Sequence, residues 1–205
     1  MNISNFKVVN RMSTLYRSNT YIPQLVQSCK ELAERKGFEN SCTDEAGRLL
    51  SVLAGQVTKG KILEIGTGYG VGSAWILSAI APTIQFISVD FEKEKIQATA
   101  AHIQHQQAEF ICGDWKEAIA EGPFQFIFAD AAAAKAIEGE LLFNTLAEGG
   151  MLFMDDFTPE EYFPIEWQGK PDKVREYWLN HSGLRATEIY LTPTTAAILA
   201  TKITD

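Results

Sequence analysis

The sequence predicts an α/β fold, a Rossmann-like three-layer sandwich with a mostly parallel seven-stranded sheet. Three observations predict it. Short apolar runs alternate with helical patterns between residues 62 and 154. A glycine-rich turn follows the first of these runs and opens a helix. Two strand-like segments close the chain, with no room between them for a crossover helix.

The elements follow in order. The first 60 residues read as a helical segment ahead of a core that spans 61–205, together one domain. Pro23 suits a first helical turn, and Leu25, Val26, Cys29, Leu32 and Ala33 fall at helical spacing up to a stop at Gly37. Thr43 can cap a second helix, whose first turn holds Asp44 and Glu45 and whose apolar face is Leu49, Leu50, Leu53 and Val57. Strands are expected at Ile62–Ile65, Ile84–Val89, Glu109–Cys112, Phe124–Ala129 and Met151–Met154. Helices are expected at Ser73–Ile80, Glu92–His102, Trp115–Ala120, Ala133–Leu146 and Lys173–Leu179. That alternation builds a parallel sheet with helices on both faces. Leu184–Leu191 and Ala196–Ile203 must then pair antiparallel at one edge.

Composition narrows the class. The chain has 205 residues, 46% of them hydrophobic, and a net charge of −8. This acidic balance argues against a nucleic-acid partner, which clustered Lys and Arg would serve. Three cysteines, Cys29, Cys42 and Cys112, do not make a disulfide framework. The polar stretch Met1–Met12 has no apolar core of a leader, and the longest apolar stretch, Ala74–Ala81, is far below the roughly 20 residues a bilayer needs. A cytoplasmic setting with no membrane partner is the expectation.

The sharpest feature is Glu64-Ile65-Gly66-Thr67-Gly68-Tyr69-Gly70-Val71-Gly72, with Ser73 just inside the helix. Glycines let the backbone turn tightly and let a ligand approach it. Ligands of open parallel sheets lie beyond the carboxyl ends of the strands. A dinucleotide and S-adenosylmethionine compete for such a loop. The G-x-G-x-x-G spacing fails here, and Glu64 would repel a pyrophosphate while favouring a cation. Asp90 ends the next strand, 24 residues past Gly66, where a carboxylate can accept ribose hydroxyls or cap the following helix. Phe91 can pack on an adenine or in the core. Gly113-Asp114-Trp115 follows the third strand, so Asp114 can meet an adenine amino group or cap a helix, and Trp115 can stack or fill the core.

Asp130 and the pair Asp155-Asp156 end the fourth and fifth strands, at one mouth of the sheet. Three hard oxygen donors suit Mg²⁺ or a similar divalent ion, while a helix cap and a turn are the plainer alternatives. His102 and His105 with Cys112 could be read as zinc ligands, but the Gln-rich stretch around them reads as a solvated face. The aromatic segment Phe157–Gly169, with Tyr162, Phe163 and Trp167, is a candidate lid over a planar substrate or a self-packed loop.

Glu64-x-Gly66-x-Gly68-x-Gly70 resembles the first motif of the class I S-adenosylmethionine-dependent methyltransferases. Leu146-Ala147-Glu148-Gly149-Gly150 is similar to their turn into the fifth strand. The acids at Asp130 and Asp155 resemble those of the small catechol and caffeoyl-CoA O-methyltransferase group. The resemblance implies methyl transfer from S-adenosylmethionine to a small-molecule acceptor, at a hydroxyl oxygen, with help from a divalent cation held by Asp130, Asp155 and Asp156. It implies cofactor binding by Glu64, Gly66, Thr67, Gly68, Gly70, Ser73, Asp90, Phe91, Asp114, Trp115 and Asp130, and a homodimer. Two positions depart from the group. Asp156 stands where an Asn is expected, and Ala133 stands where a Lys follows the fourth-strand Asp. Lys135 lies two residues on, about 200° around a helix, so the resemblance assigns no catalytic base. A non-catalytic S-adenosylmethionine binder and a nicotinamide-dependent oxidoreductase are the alternatives.

Overall fold

The computed structural model describes residues 21–136 and 138–203. The reading of the first 20 residues as part of a helical segment lies outside them. Two helices come first, α1 (Gln24–Arg35) and α2 (Asp44–Gly55). Thr43 caps α2, its hydroxyl accepting the Ala46 N–H at 3.2 Å.

Seven strands follow, β1 (Lys61–Ile65), β2 (Gln85–Asp90), β3 (Ala108–Cys112), β4 (Phe124–Ala129), β5 (Leu146–Phe157), β6 (Leu184–Tyr190) and β7 (Ala196–Lys202). They form one sheet in the order β3-β2-β1-β4-β5-β7-β6. The first five are parallel, and β7 inserts antiparallel between β5 and β6. The chain reverses direction between β1 and β4, the switch point at which such sheets open a crevice.

The connecting helices are α3 (Val71–Leu77), α4 (Lys93–His102), α5 (Ala132–Ala136), α6 (Gly139–Thr145) and α7 (Lys173–Asn180). Two differ from the sequence reading. The helix expected at Trp115–Ala120 is a 3₁₀ turn, Trp115–Glu121, closed off by Gly122-Pro123. The single helix expected at Ala133–Leu146 is split into α5 and α6. The Lys135 carbonyl accepts the Trp178 indole N–H at 2.9 Å. Gly139 opens the second piece because a Cβ there would lie 2.6 Å from the Tyr177 ring. A packing demand from α7 outweighs the helical periodicity.

The sheet separates two apolar layers. One joins Leu50, Trp75, Phe86, Phe128 and Phe153 beneath α1, α2 and α3. The other joins Trp115, Ile127, Leu142, Leu152 and Trp178 beneath α5, α6 and α7. Alternate residues of β4 and β5 serve opposite layers, as the two-residue strand period requires. Glu64, in the middle of β1, is a fully buried charged side chain.

Candidate active site

The carboxyl ends of β1, β2, β4 and β5 surround a cavity of ≈ 220 Å³ lined by Glu64, Gly66, Gly68, Asp90, Asp130 and Asp156 among others. A second cavity of ≈ 600 Å³ continues past Asp90 and Phe91 to Asp114 and Trp115. The crevice therefore runs across the ends of β1, β2 and β3.

Glu64 is the centre of a buried hydroxyl network. Ser73 and Ser88 both donate to Glu64 Oε2, Ser88 at 2.6 Å, and Thr67 Oγ1 lies 2.6 Å from Ser88 Oγ. Oε1 has no partner and sits in the cavity wall. Gly72 keeps that oxygen clear, since a Cβ there would approach it to 2.5 Å. Burial pushes the Glu64 carboxyl up to about 8, against the two serine hydrogen bonds. A buried carboxylate with an idle oxygen is poised for a cation.

Gly66 adopts φ 104°, which lets the loop turn over the end of β1 toward Asp130. Asp90 accepts the Gly68 N–H at 3.0 Å through Oδ2 and the Glu92 N–H at 2.9 Å through Oδ1. It thus fixes the loop and starts α4, and it lines both cavities. Phe91 is exposed beside it and lines both cavities. Asp114 caps the 3₁₀ turn, accepting the Lys116 N–H at 3.0 Å, and that bond holds its carboxyl below the usual range. Trp115 is packed into the core and shows one side to the second cavity. For Asp90, Asp114 and Trp115 the structural role and the cavity position coexist.

Two expected contacts fall away from the cavity. Ser73 spends its hydroxyl on Glu64 and is fully buried, so it orients the carboxylate and does not line the crevice. Gly70 faces α4, where a Cβ would lie 2.7 Å from Thr99. Its glycine is a packing requirement.

The expected three-carboxylate metal set does not assemble. Asp130 and Asp156 line the crevice, but Asp155 is buried and lines neither cavity. A bulge between Met154 and Phe157 and a φ of 62° at Asp156 set the two neighbours on β5 apart. Among the described residues, no group of three or more His, Cys, Asp or Glu is placed to hold a metal ion. Those described residues include His102, whose ring lies 3.1 Å from Ser28 Oγ.

What stands among the acids is Lys135. Its ammonium is buried and donates to the Asp155 carbonyl at 2.7 Å. Burial pushes Asp130 up to about 7, with Asp156 adding to the rise. Burial likewise pushes Asp155 up to about 6, and the Lys135 charge opposes both shifts. Lys135 lies near the end of α5, and its long side chain carries the ammonium to the Asp155 carbonyl. A signal was present: Lys135 is the only Lys or Arg between residues 117 and 169. Cys42 also lines the crevice, and burial holds its thiol well above the usual range, so it is no nucleophile.

Residues 63–157 match the family model described as a methyltransferase domain. The sequence of this chain is 26% identical over 94 residues to a catechol O-methyltransferase from Mycobacterium tuberculosis. That match covers 42% of this chain and 43% of that protein, so the chain aligns with less than half of its curated relative. The O-methyltransferase TomG from Streptomyces achromogenes, solved with S-adenosylmethionine, superposes over 100% of both chains with a TM-score of 0.76 and 18% identity. An O-methyltransferase from Bacillus cereus, solved with S-adenosylhomocysteine, superposes over 92% of this chain and 96% of its own with a TM-score of 0.77 and 18% identity. At these identities the likeness is one of fold. The glycine loop, Asp90 and Asp130 lie at the crevice beyond the carboxyl ends of the parallel strands, where ligands of such sheets sit.

Proposed function

We propose that this chain transfers the methyl group of S-adenosylmethionine to the oxygen of a small-molecule acceptor. The observation that carries the reading is Glu64, a buried carboxylate with one free oxygen beside a glycine loop at the sheet's switch point. That oxygen would receive the ammonium of the methionine moiety. Asp90 would accept the ribose hydroxyls, and Phe91, Asp114 and Trp115 would line the adenine end. The oxygen as acceptor atom rests on the O-methyltransferases among the relatives.

The step is a displacement at carbon. The acceptor oxygen forms a bond to the methyl carbon as the carbon–sulfur bond breaks. S-adenosylhomocysteine leaves as a neutral thioether, and the acceptor's proton goes to solvent. Positioning supplies much of the rate in such a reaction, and the crevice supplies the positioning. Among the described residues no three acidic, histidine or cysteine side chains are placed to hold a divalent cation, and the displacement balances without one. A homodimer and a cytoplasmic setting belong to the same reading; in the described residues no helix is long and apolar enough to cross a membrane.

The test is a panel of catechols and other phenols scored for release of S-adenosylhomocysteine. Turnover with any of them supports an enzyme. S-adenosylmethionine binding with no turnover across the panel would leave a non-catalytic binder as the better description.

A further inference from the structure

We propose that the Lys135 ammonium takes the place of a divalent cation in this chain, holding the ionised oxygen of an aromatic acceptor seated in a neighbouring cavity. This inference rests on the methyl-transfer reading above.

The cavity has a volume of ≈ 530 Å³ and lies between α5 and the segment that follows β5. Lys135, Asp156, Phe157, Phe163 and Trp167 are among its walls. Phe163 and Trp167 meet edge to face, their centroids 5.8 Å apart. Asp156 also lines the cavity beside Glu64, so the two spaces share a wall at the point where methyl donor and acceptor would meet.

Lys135 lines the aromatic cavity together with Asp156. An ammonium has three N–H donors. The Asp155 carbonyl takes one, at 2.7 Å. The Phe157 ring lies below the charge, 5.5 Å from the nitrogen. The remaining donors have the cavity before them. A flat acceptor packed on Phe157, Phe163 and Trp167 would offer its oxygen to this cation. A phenol gives up its proton near pH 10 in water. A buried cation beside the oxygen favours the ionised form.

The bookkeeping closes without a metal. The acceptor proton leaves for solvent, the phenolate forms against the ammonium, the new carbon–oxygen bond forms and the carbon–sulfur bond breaks. Lys135 stays protonated throughout. A metal at the same point would face the Lys135 charge and would lack Asp155, which is buried and lines none of these cavities.

The test uses the full chain saturated with S-adenosylhomocysteine. Mn²⁺ is titrated in by calorimetry, and 4-nitrocatechol is titrated optically with pH in the presence of EDTA. We expect no saturable Mn²⁺ binding tighter than millimolar. We expect bound 4-nitrocatechol to ionise at least one pH unit below the free compound, a tenfold shift in its proton equilibrium. Lys135→Gln should abolish that shift and Lys135→Arg should retain part of it, with S-adenosylhomocysteine affinity unchanged in both. Stoichiometric Mn²⁺ binding at micromolar concentration to the wild type overturns the proposal, and needs no variant to fold. So does failure of 4-nitrocatechol to bind, or a shift that survives Lys135→Gln. Failure of S-adenosylhomocysteine itself to bind would instead overturn the methyl-transfer reading.

Discussion

Ser88 donates its hydroxyl to Glu64 Oε2 at 2.6 Å, and the opposite oxygen of that carboxylate has no partner. One oxygen is satisfied from inside the sheet and the other is reserved for the crevice. Charge-assisted hydrogen bonds contribute about 1.5–3 kcal/mol. Glu64→Gln should therefore weaken S-adenosylhomocysteine binding by about 10- to 100-fold, measured by calorimetry. An unchanged affinity would remove Glu64 from the cofactor site.

The same carboxylate makes stability depend on pH. Glu64, Asp130 and Asp155 all have proton affinities raised by burial, to about 8, 7 and 6. Ordinary carboxyls titrate near pH 4 in the unfolded chain. Between those limits the folded state binds more protons than the unfolded state, so stability falls as pH rises. The cofactor-free protein should melt at a lower temperature at pH 8 than at pH 5.5, and Glu64→Gln should flatten part of that slope. Binding S-adenosylhomocysteine at pH 7 should release protons, read from the buffer dependence of the binding heat. A melting temperature that rises over this range would contradict the assignment.

Gly70 carries φ 83°, and a Cβ there would lie 2.7 Å from Thr99 Cγ2 and 2.9 Å from Ile103 Cδ1. Both the backbone and the space forbid a side chain. Gly70→Ala should cost about 1–3 kcal/mol of stability, seen as a lower denaturation midpoint. Gly149 also has positive φ, but nothing lies within 4 Å of its would-be Cβ. Gly149→Ala should be milder, and equal effects would mean that packing at Gly70 is unimportant.

Arg175 ties down the segment after β5. Its guanidinium donates to the Thr158 carbonyl at 2.6 Å and to Glu188 at 2.9 and 3.1 Å, and it lies over the rings of Phe157 and Phe163. Arg175→Met should keep the stem packing and lose the fork. Limited proteolysis between residues 158 and 172 should become several-fold faster. An unchanged cleavage rate would show that the segment is held by its aromatic contacts alone.

The sheet was legible because buried parallel strands need unbroken apolar runs, and Phe124–Ala129 and Ile84–Val89 supply them. The hairpin was legible because Thr192-Pro193-Thr194 leaves no length for a crossover. The helix after β4 was misjudged because its break depends on Trp178 and Tyr177, some 40 residues away in sequence. At the site, spacing along strand and turn predicts Glu64, Gly66 and Asp90 beside one crevice, and they line it. Spacing does not say which way a side chain faces, and Ser73 turns to Glu64 while Gly70 packs on Thr99. Asp155 and Asp156 part at a bulge in β5 that no pattern in the sequence announces. The reach of Lys135 to the Asp155 carbonyl is a contact between α5 and β5, which the sequence does not display.

Methyl transfer requires that the crevice beside Glu64 and Asp90 bind S-adenosylmethionine. Calorimetry with S-adenosylhomocysteine and with NADH, on the wild type and on Asp90→Ala, decides this. One saturable S-adenosylhomocysteine site per chain is expected, weakened at least tenfold by Asp90→Ala, with no NADH binding. Saturable NADH binding with no S-adenosylhomocysteine heat would contradict it.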